Sequence, residues 1–259
     1  MTTPLHPDRG PPCSDEALRG RCLENLARVG DEVAEACRQA GRATESVRIV
    51  AVTKYVPVAW AEILLDAGCR DLGESRPQAL WDRAAILSAN GFPSDPVRWH
   101  LIGRLQRNKV RRTLPVVSLI HSLDSQRLLE TLASEAATQR IDTAALVEVN
   151  LDGDPGRGGM APGDVKRLLD AAVDGPVKIR GLMGMASAPG PSGDDGTARR
   201  QFAALRALRD RLATDHPGLE ELSMGMSGDF VDGILEGATI VRIGSALWEG
   251  MPEVAGATG

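Results

Sequence analysis

The segment VRIVAVTKYVP, residues 47–57, ends a β-branched apolar run with a lysine, Lys54, just before the chain turns at a proline. Such a lysine can be an ordinary strand-end residue whose ammonium reaches water along its flexible stem. If it is buried instead, desolvation lowers the pKa of the amine, and a neutral amine condenses with an aldehyde to give a Schiff base. Lys54 is therefore either a plain strand end or a covalent site for a carbonyl compound.

Two segments near the end of the sequence have the composition of a phosphate site. They are SMGMSGDF, residues 223–230, and RIGSALWEG, residues 242–250. Small residues let backbone N–H groups approach a phosphate, and a helix N-terminus favours its negative charge. The alternative is that the two segments form only a turn and a tight strand-to-helix junction.

The elements that would position these residues are short apolar segments separated by helical patterns. In order they are VRIVAVTK, DLGES, VRWHLIG, VVSLIHSLD, TAALVEVNL, VKIRGLMGMAS, EELSMGM and TIVRIGSALWE. Eight βα units predict an α/β fold, a single closed parallel (β/α)8 TIM barrel, with an open doubly wound sheet as the alternative. An amphipathic pattern with a serine N-cap predicts an extra helix over residues 14–41 before the barrel.

A barrel gathers the C-terminal ends of its strands, and the loops after them, around one mouth. Lys54 lies at the end of the first predicted strand, and the two phosphate-type segments accompany the last two. A lysine beside a phosphate site matches pyridoxal 5'-phosphate (PLP), which carries both an aldehyde and a phosphate. The sequence thus predicts a PLP site at the mouth.

Eight motifs also occur in the order and spacing of the pyridoxal phosphate homeostasis proteins. They are VTKYVP, DLGES, WHLIGRLQRNK, HSLD, VEVN, RGLM, LSMGMS and VRIGSALWEG, and the resemblance covers residues 48–250. That family is similar to the barrel domain of fold-type III PLP enzymes such as alanine racemase, and it binds PLP without a well-established catalytic turnover. The resemblance implies a protein that holds PLP as an exchangeable Schiff base in vitamin B6 and amino-acid homeostasis, with apo PLP-dependent enzymes as candidate partners.

The resemblance also implies a set of cofactor-binding residues, each taken over from its motif. Lys54 forms the internal aldimine, and Arg242 faces the pyridine nitrogen, where a permanent guanidinium disfavours ring protonation and weakens the cofactor as an electron sink. Arg242 alternatively pairs with a carboxylate inside the barrel. The full implied set is Lys54, Asn150, Met226, Ser227, Arg242, Gly244 and Ser245.

Four further positions have two interpretations or depart from the family pattern. Asn150 faces the cofactor or caps its own loop, and His100 is expected to be a hydrogen-bonded core residue. Many relatives have asparagine at the position of Ser75, so a contact near the cofactor is shortened or replaced by water. Ser245 replaces a threonine that is frequent in relatives and keeps a hydroxyl able to donate to phosphate.

Two enzyme functions remain as alternatives to a PLP carrier. A two-base racemase of the resembling fold takes its second base, a tyrosine, from an additional β domain, which we do not expect because the sequence ends soon after the eighth strand segment. The only tyrosine, Tyr55, directly follows Lys54. A weak PLP-dependent amino-acid racemase is the first alternative, and a class I aldolase, whose lysine condenses with a substrate carbonyl, is the second.

Composition limits the other classes. The chain has 259 residues, which fit one large domain or two ordinary ones, and its hydrophobic content of 42% is enough for a substantial core. A formal net charge of −5 and an aromatic content of 3% argue against nucleic acid as a partner. The basic segment RLQRNKVRR, residues 104–112, is a solvated helix face or an attractor of phosphate or acidic groups.

Boundaries and location follow from the termini and the cysteines. We expect a disordered tail over residues 1–13, the barrel with its extra helix over 14–251, a tail over 252–259, and a mobile loop over 188–197. No apolar run approaches the roughly 20 residues of a membrane span, and no leader pattern is present, which predicts a cytoplasmic protein. Four scattered cysteines, Cys13, Cys22, Cys37 and Cys69, predict neither disulfides nor a metal site. We expect a monomer.

Overall fold

Eight parallel strands close into a barrel in sequence order in the computed structural model, which describes residues 15–91, 97–173, 175–188 and 196–252. The predicted (β/α)8 barrel is confirmed, and every strand lies within one of the eight apolar segments. The strands are β1 (Arg48–Val52), β2 (Asp71–Glu74), β3 (Arg98–Leu101), β4 (Val117–Leu123), β5 (Thr143–Val149), β6 (Val177–Gly184), β7 (Glu221–Met226) and β8 (Ile240–Ile243).

A helix follows each of the first seven strands, and a short 3₁₀ turn, Ser245–Leu247, follows the eighth. The helices of the barrel are α2 (Val58–Asp66), α3 (Pro77–Ala89), α4 (Val110–Thr113), α5 (Gln126–Gln139), α6 (Val165–Ala172), α7 (Thr197–Ala213) and α8 (Phe230–Leu235). This alternation makes the strands parallel, because each crossover helix returns the chain to the end of the barrel at which the next strand begins.

The extra helix before the barrel is α1 (Asp15–Gln39), as the amphipathic pattern predicts. It ends in a Schellman motif: Gly41 has a φ of 66°, and the Arg42 N–H donates to the carbonyl of Cys37 at 2.9 Å. The predicted N-cap Ser14, the tail over residues 1–13, and most of the loop 188–197 and of the tail 252–259 lie outside the described residues.

The apolar core has two parts because a barrel has an outer and an inner face. The larger part lies between the strands and the surrounding helices. A smaller cluster fills the inside of the barrel and consists of Val50, Leu119, Leu146, Met183 and Ile240. The inside of the barrel is therefore packed with side chains, which leaves the mouth as the place for a ligand.

The backbones of β6 and β7 approach closely at Gly181. A Cβ built on Gly181 would lie 1.9 Å from the backbone carbonyl oxygen of Glu221, so a side chain fits there only if the two strands separate. We expect Gly181→Ala to lower the free energy of unfolding by about 3 kcal/mol, measured by denaturant titration.

Gly30, in the middle of α1, provides the matched control for this substitution. A Cβ built there meets no atom within 4 Å, and alanine favours a helix interior over glycine. Gly30→Ala should therefore raise the free energy of unfolding by about 0.5–1 kcal/mol. Equal effects of the two substitutions would contradict the close approach at Gly181.

Within the described part of the chain, no helix combines the length and the apolar character that crossing a membrane requires. The three cysteines in this part, Cys22, Cys37 and Cys69, are free thiols. Cys13 lies outside it. Burial raises the pKa of the Cys22 and Cys69 thiols to about 11, which keeps both protonated at neutral pH.

Candidate functional site

Lys54 lies two residues beyond the end of β1, at the mouth of the barrel. Its side chain is exposed rather than buried. The next residue, Tyr55, has a φ of 67°, a left-handed conformation that costs a non-glycine residue about 1–2 kcal/mol. The lysine therefore stands on a strained turn that the surrounding structure must hold.

A buried ion pair between Arg83 and Glu74 stabilises this turn. The Arg83 guanidinium on α3 donates to Glu74 at 2.8 Å and to the backbone carbonyls of Thr53 and Val56 at 3.1 and 2.8 Å. The Thr53 hydroxyl donates to the same Glu74 oxygen at 2.8 Å. Burial raises the pKa of Glu74 in spite of the nearby guanidinium. The two carbonyls bracket Lys54, so the pair fixes the backbone on both sides of it.

The predicted phosphate segments meet beside β1. Strand pairing sets Ala51 of β1 opposite Ile243 of β8, which places the loop after β8 next to the turn that carries Lys54. The backbone N–H groups of Gly244 and Ala246 both donate to the Ser227 hydroxyl, at 3.1 and 3.2 Å. Ser227 thus links the loops after β7 and β8, and its hydroxyl proton can still donate to an anion. We call Ser227, Gly244 and Ala246 the cradle.

The extra helix supports this cradle from outside the barrel. The Asn25 amide donates to the backbone carbonyls of Leu247 and Glu249, at 3.0 and 2.9 Å, and the Arg28 guanidinium donates to that of Ala246 at 3.0 Å. Asn25 is buried, so its two bonds are shielded from water. Helix α1 thus fixes the position of the 3₁₀ turn that supplies one wall of the cradle.

Arg242 lies inside the barrel on β8 and is buried. Its guanidinium donates to the carbonyl and the hydroxyl of Ser223, at 2.8 and 2.6 Å, and to the carbonyl of Gly184 at 3.1 Å. Among the described residues no carboxylate lies within ion-pair distance of it, so the alternative of a paired core arginine is not what the structure contains. Burial lowers the pKa of Arg242 to about 10, and it remains a cation at neutral pH.

Two cavities lie at the C-terminal ends of the strands. One, of about 450 Å³, is bordered by Met226 at the end of β7 and by Gly228 and Asp229 after it. Another, of about 500 Å³, is bordered by Gly103 after β3 and by Glu148 on β5. Burial raises the pKa of Glu148. The first cavity thus borders the residues on either side of Ser227, and the lining of neither cavity includes Lys54 or Arg242.

Comparison with known proteins identifies the family. Residues 29–252 match the model of the alanine racemase N-terminal domain. A pyridoxal phosphate homeostasis protein of Aquifex aeolicus is 37% identical over 227 residues, which are 87% of this chain and 96% of that protein. The chain belongs to the family of pyridoxal phosphate homeostasis proteins. The resemblance carried by the eight motifs is thereby confirmed.

Solved structures of the family and of its fold relatives agree with the barrel. PipY of Synechococcus elongatus, solved with PLP bound, is 32% identical with a TM-score of 0.71, covering 83% of this chain and 99% of PipY. Alanine racemase of Clostridium difficile has a TM-score of 0.70 at 14% identity, covering 88% of this chain and 56% of the racemase. The second likeness concerns the fold alone.

Asn150, for which the sequence predicted a cofactor contact or a loop cap, has both ends of its side chain engaged in its own loop. Its amide donates to the carbonyl of Asp154 at 2.8 Å, and its oxygen accepts from the N–H groups of Asp152 and Gly153, at 3.3 and 2.9 Å. These bonds match the loop-cap interpretation, and a cofactor contact of Asn150 stays a prediction. Ser75 is half-buried, and its backbone carbonyl lies against Gly103.

Some basic side chains of the segment after β3 stack on an aromatic ring, and one pairs with a carboxylate. The Arg112 guanidinium lies 4.3 Å and the Lys109 ammonium 5.9 Å from the centre of the Trp81 ring. Arg104 is largely exposed, with Asp124 4.0 Å away. Part of the segment is thus tied to α3, and no bound anion is needed to explain Lys109 and Arg112.

Sequence reasoning missed the residues that support the site from inside the protein, chiefly Glu74, Arg83 and Ser223. One signal was available: a charged or hydroxyl side chain inside an otherwise apolar strand segment needs a buried partner. That signal does not identify the partner. His100 was expected to be a hydrogen-bonded core residue, and the structure confirms it.

Proposed function

We propose that this protein binds PLP at the mouth of its barrel, holds it as an exchangeable Schiff base on Lys54, and serves intracellular PLP homeostasis. The observation that carries the proposal is the adjacency of Lys54 to the anion cradle of Ser227, Gly244 and Ala246. Its relatives are named for PLP homeostasis, and PipY has been solved with PLP bound.

The donor set of this chain fits the groups of PLP. The cradle N–H groups and Ser227 suit a phosphate, with Gly244 and Ser245 at the start of the 3₁₀ turn and Met226 at the edge of the mouth. Arg242 would donate to the pyridine nitrogen. When bound, PLP supplies an aldehyde that the lysine captures reversibly, and an unprotonated ring stabilises carbanions poorly. This favours storage over turnover.

Delivery of PLP to other proteins tests the homeostatic part of the proposal. The loaded protein is mixed with an apo PLP-dependent enzyme, and recovery of that enzyme's activity is compared with recovery on free PLP at the same concentration. Faster recovery with the loaded protein than with free PLP supports delivery. If the apo enzyme recovers no faster than PLP dissociates spontaneously from the loaded protein, the delivery part of the proposal is wrong and only PLP binding remains.

Ser227 is expected to set much of the affinity for the phosphate. We predict that Ser227→Ala weakens PLP binding about tenfold, measured by absorbance titration, because the substitution removes the oxygen that orients two N–H groups. Ser245→Thr keeps a hydroxyl and should lose less. Ser118→Ala, an exposed serine on β4, is the control. Equal affinities for Ser227→Ala and the control would contradict the cradle assignment.

The two enzyme alternatives make different predictions. A racemase needs a second acid or base on the opposite face of the cofactor, and the only tyrosine, Tyr55, shares the turn of Lys54. Chiral analysis of alanine after long incubation with the loaded protein measures any racemisation. An aldolase would use Lys54 on a substrate carbonyl, and the purified protein would then show no visible absorbance from PLP.

We further propose that the chain acts as a monomer in the cytoplasm, with the barrel domain over residues 14–251. Free thiols at all three described cysteines support a reducing compartment. Size-exclusion chromatography with light scattering tests the monomer.

A further inference from the structure

A continuous chain of buried side chains crosses the inside of the barrel and ends at Arg242. The Asp71 carboxylate on β2 bonds His100 Nε2 on β3 at 2.9 Å, and His100 Nδ1 bonds His121 Nε2 on β4 at 2.9 Å. His121 Nδ1 bonds the Ser223 hydroxyl on β7 at 2.9 Å, and that hydroxyl accepts from Arg242 at 2.6 Å. All five residues are at most 7% exposed. We call them the relay.

The relay has one hydrogen arrangement that satisfies every bond. An ionised carboxylate only accepts, and a guanidinium only donates. His100 must therefore donate from Nε2 and accept at Nδ1, and His121 must do the same, since each neutral imidazole carries one proton. The Ser223 hydroxyl then donates to His121 and accepts from Arg242. All four hydrogen bonds point from Arg242 towards Asp71.

The charges around the relay agree with this arrangement. Burial opposes ionisation of Asp71, but hydrogen bonds from Arg98 and His100 outweigh it and lower the pKa of its carboxyl well below the usual range. Burial lowers the pKa of His100, although Asp71 partly opposes that effect. Burial also lowers the pKa of His121, as do the nearby His100 and Arg242. Neutral imidazoles and an ionised carboxylate are the states that the bonding requires.

The relay also restricts the orientation of Arg242. A guanidinium has five N–H groups, and the bonds to Ser223 and Gly184 use three of them. The planar group cannot rotate about its bonds without losing these acceptors. Its remaining N–H groups, at Nε and at one position of Nη2, keep fixed directions.

We propose that Asp71, His100, His121 and Ser223 are positioning residues that fix the Arg242 guanidinium for the pyridine nitrogen of bound PLP. This inference rests on the proposed function, because it concerns the same site. The ionised carboxylate of Asp71 fixes the direction of the hydrogen bonds in the relay. Asp71 is the first residue of β2 and so lies at the end of the barrel opposite the mouth. A substitution of Asp71 should therefore change the absorbance of bound PLP, although Asp71 and the mouth are separated by the barrel interior.

The hydrogen arrangement can be measured in the protein without PLP. Nitrogen NMR of the imidazole side chains should show His100 and His121 both as neutral Nε2–H tautomers. Either ring as the Nδ1–H tautomer, or as an imidazolium at neutral pH, would overturn the relay.

The positioning role is tested by Ser223→Ala in the PLP-loaded protein. Alanine removes the hydroxyl but leaves the Ser223 carbonyl bond to Arg242. The borohydride-reducible adduct on Lys54 should still form, the affinity for PLP should fall about tenfold, and the visible absorbance band of bound PLP should shift. Ser122→Ala, a buried serine that donates to the Gly103 carbonyl instead, is the control and should leave the band unchanged.

A pair of variants at the far end separates the relay from a local effect of Ser223. Asp71→Ala and Arg98→Ala both break the Arg98–Asp71 ion pair, but only the first removes the acceptor of the His100 Nε2–H. Asp71→Ala should shift the absorbance band as Ser223→Ala does, and Arg98→Ala should not.

The possible failures can be told apart. No Lys54 adduct in the wild-type protein would overturn the proposed function, and this role of the relay with it. An adduct together with a band that either Ser223→Ala or Asp71→Ala leaves unchanged would overturn the relay alone.

Discussion

Replacing Lys54 by alanine is expected to abolish covalent capture of PLP. In the wild-type protein, borohydride reduction followed by peptide mass mapping should place a pyridoxyl phosphate group on Lys54, and the variant should carry none. The reason is that a Schiff base needs a primary amine, and this one stands next to the cradle. Because the Lys54 side chain is exposed, the free energy of unfolding should change by less than about 0.5 kcal/mol.

Two further variants control for charge and for non-specific labelling. Lys54→Arg keeps the positive charge that attracts the phosphate, but a guanidinium stays protonated and does not attack the aldehyde, so it should also lose the adduct. Lys166→Ala removes an exposed lysine that pairs with Asp170, and it should label like the wild type. Equal labelling of Lys54→Ala and the wild type would show that the captured amine is elsewhere and that our assignment is wrong.

Removing Arg83 is expected to be the most destabilising change near the site. Glu74 is 1% exposed, and Arg83→Ala would leave its buried carboxylate with the Thr53 hydroxyl as its one remaining hydrogen-bond donor among the described residues. Loss of one partner of a buried ion pair costs about 3–5 kcal/mol of folding free energy, measured by denaturant titration at neutral pH. PLP affinity should fall as well, because the carbonyls of Thr53 and Val56 lose their donor.

The pH dependence of this loss has a definite sign. Burial already raises the pKa of Glu74 in the folded protein, and removing the Arg83 cation raises it further. A carboxyl with a raised folded pKa destabilises the protein most where the unfolded chain is ionised. The loss should therefore be largest at neutral pH and shrink as the pH falls to the ordinary pKa of a glutamate.

Two comparisons check this interpretation of Arg83. Arg211→Ala, an exposed arginine on α7, should change the stability by less than about 0.5 kcal/mol. Replacing Glu74 and Arg83 together by methionine removes both charges and should recover part of the loss. A loss below about 1 kcal/mol for Arg83→Ala would mean that the pair contributes little to folding.

The elements and the family of this protein are readable in its sequence for local reasons. Apolar periodicity depends on near neighbours along the chain, so the strand segments of β1 to β8 and the pattern of α1 were predictable. Lys54, Ser227 and Gly244 could be proposed together from the sequence because barrel strands end at one mouth, so a position at a strand end predicts a position in space.

The supports of the site were decided by tertiary structure alone. His121 meets Ser223 only because β4 and β7 face each other across the closed barrel, and Arg83 reaches the Lys54 turn only because α3 packs beside it. The sequence determined which side chains need buried partners, since a polar group in an apolar segment must be satisfied. Closure of the barrel determined which residues those partners are, because contacts between segments distant in sequence depend on the packing of the whole fold. For the same reason, only the tertiary structure decided that the Lys54 side chain is exposed.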